Sequence, residues 1–240
     1  MLINTQYRTD EPEIMDDFSL EGEELKDALD KIASINQLLG GNQLTLKGVK
    51  QLLQKKTNSS PITIVDVGCG NGDMLRKLAE FGLQHNFNLV LIGIDANSYT
   101  INYASDLSEN YPNISYKCED IFSESFNDLK YDIVLCTLTL HHFKNDEIVT
   151  LLTVFKNNSK IGFVINDLQR SLIAYRLFQA LCFVFGLNNM SREDGLTSIL
   201  RGFKKEELVA FSEKLEFKKY CIEWKWAFRY QWIVDNSNQN

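Results

Sequence analysis

The sequence lacks most of what would mark a nucleic-acid binder, a disulfide scaffold or a membrane protein. No Lys/Arg run exceeds two residues, and 25 basic against 32 acidic side chains leave a formal charge of −7. An acidic chain without a basic stripe has no electrostatic footprint for phosphate backbones, so no nucleic-acid partner is expected. There is no C-x-x-C pair. Cys69, Cys118, Cys136, Cys182 and Cys221 are far apart, odd in number and set among apolar residues, and the three histidines cannot complete a zinc spacing. These cysteines read as free thiols in a reducing cytoplasm, and no metal site is expected. The N-terminal MLINTQYRTDEPEIMDD has neither the basic head nor the apolar core of a signal peptide. The most apolar stretch, Ser171–Leu187, is interrupted by Arg176 and Gln179 and falls short of the roughly 20 residues a membrane span needs. No stable membrane insertion is expected.

What remains is an ordinary globular composition, 44% hydrophobic and 24% charged over 240 residues, the size of one α/β domain with an added lid. Strand and helix signals alternate, which predicts a mostly parallel sheet with helices on both faces. Strands are expected at Ile62–Val67, Leu89–Ile94, Ile114–Cys118, Tyr131–Thr137 and Ile161–Ile165. Helices are expected at Asp73–Phe81, Ser98–Asn110 with Ser98 as N-cap, Asn145–Phe155, Ser171–Phe185 and Lys204–Leu215. Phe217–Trp226 and Ala227–Val234 read as an antiparallel hairpin with a bulge or tight corner, and 235–240 as a disordered end. Ahead of the sheet, Leu20–Gly40 has the spacing of an amphipathic helix ended by Gly40-Gly41, and Leu44–Leu53 of a second. Residues 55–60 form a polar linker. The expected organisation is an N-terminal helical lid over 1–55 and a main domain over 56–240, with an apolar helical insertion at about 168–203.

The chemistry starts at Asp66-Val-Gly68-Cys-Gly70-Asn-Gly72-Asp73, between the first strand and the first helix of the sheet. Glycines there let the backbone turn sharply and approach a ligand that a Cβ would exclude. The dinucleotide fingerprint G-x-G-x-x-G needs glycine at 73, where the chain has Asp73, and no G-K-[ST] follows for a P-loop. Carboxylates at 66 and 73 suit a ligand with a positively charged amino group better than a phosphate. Asp95 ends the second strand, where a carboxylate accepts both ribose hydroxyls. Cys118-Glu119-Asp120-Ile121 follows the third strand, where a carboxylate beside an apolar residue can hold an adenine amino group and its face.

Asp66-x-Gly68-x-Gly70-x-Gly72, Asp95, Asp120 and Tyr131-Asp132-Ile133-Val134 resemble motifs I to IV of the class I S-adenosylmethionine-dependent methyltransferases. The likeness covers roughly residues 60–165 and the antiparallel end. It implies a Rossmann-like seven-stranded, mostly parallel sheet with an antiparallel C-terminal hairpin, S-adenosyl-L-methionine as cofactor and S-adenosyl-L-homocysteine as product. The glycine loop would hold the methionine moiety, Asp95 the ribose, Asp120 and Ile121 the adenine, and Thr137 would lie near the amino acid part. The implied cofactor set is Asp66, Gly68, Gly70, Asp73, Met74, Asp95, Ala96, Asp120, Ile121 and Thr137.

The acceptor is less specified. Thr137-Leu-Thr-Leu-His141-His142-Phe143 has no Asn/Asp-Pro-Pro-aromatic signature, and no Pro-Cys nucleophile is present. The segment is similar to that of ubiquinone and menaquinone methylases and natural-product O-methyltransferases, which implies that His141 and Asp167 act on an acceptor hydroxyl. Independently, methyl transfer from a sulfonium is a displacement, so the enzyme aligns the acceptor and removes its proton. A histidine can take that proton, and a carboxylate can fix its tautomer. The alternative is that His141 caps the next helix or packs under the lid. His142, Tyr175 and Phe178 are candidate acceptor contacts, and Ser171–Phe185 is either pocket wall, core helix or homodimer contact. The run from Arg192 through Gly195 and Ser198 to Arg201-Gly-Phe203 resembles methyltransferases encoded beside polyketide synthases. Tyr7 and Arg8 stand as candidates for the cofactor carboxylate. The leading expectation is a methyltransferase for a hydrophobic or aromatic small molecule, acting on oxygen. A cofactor-binding protein without transfer activity and a protein or RNA methyltransferase are the alternatives.

Overall fold

β-branched runs bounded by turn residues become the central strands of the fold. The computed structural model describes residues 3–54 and 60–237. Among them β1 (Ile62–Val67), β2 (Leu89–Asp95), β3 (Ile114–Cys118), β4 (Tyr131–Thr137), β5 (Ser159–Leu168), β6 (Tyr220–Lys225) and β7 (Arg229–Asp235) form one sheet ordered β3-β2-β1-β4-β5-β7-β6. The first five strands are parallel, and β7 runs antiparallel between β5 and β6. Strand order reverses between β1 and β4, which opens a crevice at their carboxyl ends where ligands of such sheets bind.

Helices cover both faces because the inner strands are apolar on both. On one face α2 (Gly41–Leu53) and α3 (Asp73–His85) bury Val49, Leu52, Leu75 and Leu78 against Ile64, Leu91, Ile133 and Val164. On the other, α6 (Asn145–Asn158) and α9 (Lys205–Lys214) bury Leu151, Phe155, Leu208 and Phe211 around Val134, Phe163 and Trp232. α4 (Ser98–Leu107) and the short α5 (Glu124–Asp128) complete the connections. Of the N-terminal residues, α2 lies directly on β5 and β7, whereas α1 (Glu23–Leu38) and a 3-10 turn at Ile14–Asp16 border the crevice. α7 (Leu172–Phe185) and α8 (Asn189–Arg201) pack on each other beside them. The face of α7 carrying Ile173, Phe183 and Val184 is exposed.

Several local expectations are corrected. The N-cap of α4 is Asn97, whose side chain accepts from the Thr100 amide, because Ser98 has already entered the helix. Gly40 and Gly41 do not both lie beyond a helix end: left-handed Gly40 precedes α2, and Gly41 begins it. Asp235 extends β7, and Asn236 is buried with its amide donating to Ser159 and Lys156, so the ordered chain continues past the expected end. Residues 55–59 of the polar linker and 238–240 of the tail lie outside the described residues. The hairpin corner is tight, as expected. Ala227 and Phe228 both adopt left-handed conformations there without glycine, which costs roughly 1–2 kcal/mol per residue.

β5 is longer than its apolar run because Gly162 accommodates an irregularity in the β4–β5 register. Gly162 has φ +147°, and a Cβ there would sit 2.0 Å from the Val234 carbonyl oxygen on β7. Gly162→Ala is therefore expected to destabilise the protein by about 3 kcal/mol or more, through backbone strain at a ladder position. Urea unfolding of the two proteins measures it.

Candidate active site

The β1–α3 loop places three glycines in left-handed conformations, at Gly68, Gly70 and Gly72. A Cβ on Gly68 would stand 2.4 Å from Thr139, so the loop holds its backbone against the chain leaving β4. Asp95, at the end of β2, receives the amides of Gly70 (3.2 Å) and Asn97 (3.1 Å). Asp73 receives the Asn42 side-chain amide of α2 at 2.6 Å. Asp66 is buried, and its Oδ1 has no hydrogen-bond partner. Burial pushes the Asp66 carboxyl well above the ordinary range, and Asp73 and Asp95 add to the effect. Burial also raises Asp73 and Asp95, against the amides that bind them. Three carboxylates thus crowd a glycine cradle, an environment that favours a cationic ligand.

Met74 is buried under the loop, and Ala96, Asp120 and Ile121 border the same space from the ends of β2 and β3. Thr137 lines it too, with its hydroxyl 3.1 Å from that of Thr45. One cavity of about 1430 Å³ runs from these residues to the loop after β4.

At that end His141 is buried on a 3-10 turn (Leu140–His142). Its Nδ1 lies 2.7 Å from Asp167 Oδ1, and its amide donates to Asp167 Oδ2 at 3.2 Å. Burial pushes the Asp167 carboxyl up, but the His141 ring and the Leu168 amide outweigh it and hold the group below its usual value. Asp167 therefore stays ionised and can accept a proton from Nδ1, an arrangement that turns Nε2 toward the cavity side of the ring. The residues brought together at β4 and β5 are thus the two singled out in the sequence.

Sequence reading missed Glu13. The 3-10 turn at 14–16 carries it inward, with Oε1 3.6 Å from His141 Nε2 and Oε2 3.9 Å from His142 Nε2. Ser198 of α8 donates to Oε2 at 2.7 Å. Burial pushes the Glu13 carboxyl up to about 7, against the pull of His142, Ser198 and Arg201. Asp16 binds Nδ1 of His142 (2.7 Å) and Arg201 Nη1 (2.6 Å), and these bonds outweigh its burial and hold it low. Glu13, His141 and His142 bring ligand atoms within 4.8 Å of one another, the composition of a cation site. Arg201 Nη1, 3.5 Å from Glu13 Oε1, already supplies a positive charge there. An acidic EPEIMDD segment looks like a solvated face in the sequence, and no linear signal marks Glu13.

Arg8 does not face the cofactor end. Its guanidinium donates to the carbonyls of Arg201 (2.7 Å), His141 and Phe143 (both 2.8 Å) and to Asn145 (2.9 Å), and it lies over Phe203. Tyr7 lines the cavity and is largely exposed. Of the apolar helix α7, Ala174, Leu177, Phe178 and Leu181 face the cavity; Tyr175 does not. Phe178 packs over Gly195 of α8, where a Cβ would fall 2.3 Å from its ring. Trp226, Ala227 and Phe228 of the strained hairpin corner border the same cavity.

Residues 64–162 match the model of a methyltransferase domain. The ubiquinone biosynthesis O-methyltransferase of Coxiella burnetii is 27% identical over 56% of this chain and 53% of its own length. Protein-lysine N-methyltransferase EFM4 of Saccharomyces cerevisiae is 39% identical over 34% of this chain and 35% of its own. This chain thus spans between a third and about half of the curated relatives it matches. Among solved structures, the plantazolicin methyltransferase BpumL in complex with SAH shares the fold at a TM-score of 0.65 and 17% identity, covering 87% of this chain and 89% of that one. The DszA carbon methyltransferase gives 0.65 and 17% over 87% of this chain and 58% of its own. The glycine cradle and the strand order agree with these matches: residues 64–162 match a methyltransferase domain, and the sheet around them has the fold of the solved methyltransferases.

Proposed function

We propose that the protein transfers the methyl group of S-adenosylmethionine to a hydroxyl of a hydrophobic or aromatic small molecule. The observation that carries this reading is the single cavity of about 1430 Å³ joining the carboxylate-ringed glycine loop to His141 and the apolar wall of α7. Ligand sites commonly span about 300–1,000 Å³, so this one has room for a cofactor and an acceptor together. The wall formed by Leu177, Phe178 and Leu181 supports an apolar acceptor, and the relation to a ubiquinone biosynthesis O-methyltransferase supports oxygen as the methylated atom.

When bound, S-adenosylmethionine supplies a methyl group on a sulfonium for displacement by the acceptor. The unpartnered Asp66 oxygen and the left-handed glycines fit the amino end of that molecule, with Asp73 beside them. Asp95 and Ala96 fit its ribose, Asp120 and Ile121 its adenine, and Met74 and Thr137 border the remainder. His141, oriented by Asp167, serves the acceptor hydroxyl as proton acceptor, with His142 and Phe178 beside the acceptor. The segment with the 3-10 turn and α1, up to residue 38, acts as a lid, while α2 belongs to the helical layer on the sheet, and about 168–203 forms the acceptor wall, a division that keeps water from the transfer.

Asp95→Ala is expected to weaken S-adenosylhomocysteine binding by roughly 1.5–3 kcal/mol, the scale of a lost charge-assisted hydrogen bond. Unchanged calorimetric affinity in the folded variant rules out the ribose assignment. A screen of phenols, quinols and polyketides with labelled methyl donor tests the acceptor class; cofactor binding without transfer to any of them favours a binding protein. On an acceptor from that screen, His141→Ala should lower turnover roughly 10²–10⁴-fold with cofactor affinity retained. Asp167→Asn should show part of that loss, because the two groups act as a unit. Near-normal turnover of His141→Ala would mean that alignment alone carries the reaction.

A further inference from the structure

Two buried atoms of the site face each other without a hydrogen-bond partner. His141 Nε2 and Glu13 Oε1 lie 3.6 Å apart, both shielded from solvent and neither hydrogen-bonded. With the Nδ1 proton committed to Asp167, Nε2 offers a lone pair to a carboxylate oxygen. Two acceptors so placed repel one another, and a single proton between them converts the contact into a charge-assisted hydrogen bond in a poorly solvated place.

We propose that Glu13, carried to the site by the N-terminal segment, shares one proton with His141 Nε2, and that this pair receives the proton of the methyl acceptor. The inference rests on the methyl-transfer reading above. Glu13 is held for this from three sides. Ser198 on α8 donates to its Oε2 and leaves Oε1 toward the ring. Asp194, also on α8, receives the Ile14 and Met15 amides at 2.6 and 2.9 Å, which fixes the turn that follows Glu13. The Glu13 amide itself donates to Asp16.

The surrounding charges leave the pair as the group that gains or loses the proton. Asp16 is tied to His142 and Arg201, and Asp167 to His141 and two amides, so both stay ionised. Arg201 faces Glu13 from α8, Arg8 binds the carbonyl of His141 from the N-terminal strap, and Asp95 acts on His142 from β2. Burial brings the proton affinity of Glu13 close to neutrality, where a base is most effective. In the transfer, the acceptor oxygen bonds the methyl carbon as the carbon–sulfur bond breaks and leaves its electron pair on sulfur. The hydroxyl proton enters the Glu13–His141 pair and later leaves to solvent. On the acid side Glu13, whose carboxyl burial pushes up, is already protonated and cannot help take that proton, so the rate falls there.

The chain has only three histidines, which makes the test direct. Protein labelled with 15N-histidine and saturated with S-adenosylhomocysteine is titrated between about pH 5 and 9, with His141→Gln identifying the ring. The His141 titration in Glu13→Gln should differ from the wild type by about one pH unit or more, and Glu13→Asp should fall between. On an acceptor from the screen, Glu13→Gln should lose about 10²-fold or more in kcat and displace the acid limb, with KM for the cofactor unchanged. Identical His141 titrations overturn the shared proton, as does a metal ion retained at one per chain and lost in Glu13→Gln. A shifted titration with full turnover overturns the catalytic role. Should Glu13→Gln not fold, Glu13→Asp gives the same comparisons. Calorimetry of S-adenosylhomocysteine on the same samples tests the underlying reading separately, and the histidine titration, repeated without S-adenosylhomocysteine, decides the shared proton even where the wild type binds no cofactor.

Discussion

A carboxylate buried at the end of a central parallel strand has to be met by donors, and Asp167 is met by both the ring and the amide of His141. That requirement ties the chain leaving β4 to the end of β5. It turns the 3-10 segment inward and presents His141 Nε2 to whatever covers the crevice. The cover is the N-terminal segment. With no acidic side chain there, the ring nitrogen would face apolar atoms or water; with Glu13 it faces a second carboxylate, and the balance of protons in the site changes.

Three arginines keep that arrangement closed. Arg8 gathers the carbonyls of His141, Phe143 and Arg201, so the strap and the histidine turn share one set of bonds. Arg201 joins Asp16 to the His142 carbonyl. Arg170, with a fully buried side chain, donates to the carbonyls of Thr5, Gln6 and Gly202 and forms a paired contact with Glu207 on α9. Buried guanidiniums are stable only when most of their donors are used, and planar forks match several carbonyls at once. Residues 5–16 are therefore bound by specific polar contacts rather than by an apolar face alone.

The elements that repeat locally were legible from the sequence. β1, β2, β3 and β4 fall within a residue of their apolar runs, and the glycine loop lies where its spacing put it. His141 and Asp167 also meet as expected, because consecutive parallel strands bring their following residues to one edge. What stayed hidden depends on contacts far apart in the chain. Glu13 reaches a residue 128 positions away, and α8 has an interrupted apolar pattern because it buries Ser191, Asp194 and Arg201 instead. The Ala227–Phe228 corner carries no turn residues, since its left-handed backbone is imposed by the strands on either side. Arg8 was singled out, but a cation near a site does not reveal which oxygens it will prefer; here three backbone carbonyls and the Asn145 side chain take its donors.

The matched methyltransferase domain ends at residue 162, before Asp167, α7, α8 and the hairpin corner, and it begins after the strap that holds Glu13. The glycine cradle and the acidic strand ends are internal to that domain, whereas most of the opposite wall is assembled from the two flanks of the chain. A graft is the natural experiment that such a layout invites. Exchanging the flanks between related chains would carry a new wall onto an unaltered glycine cradle, and the two flanks would have to travel together, because Arg8, Arg170 and Arg201 bind one to the other.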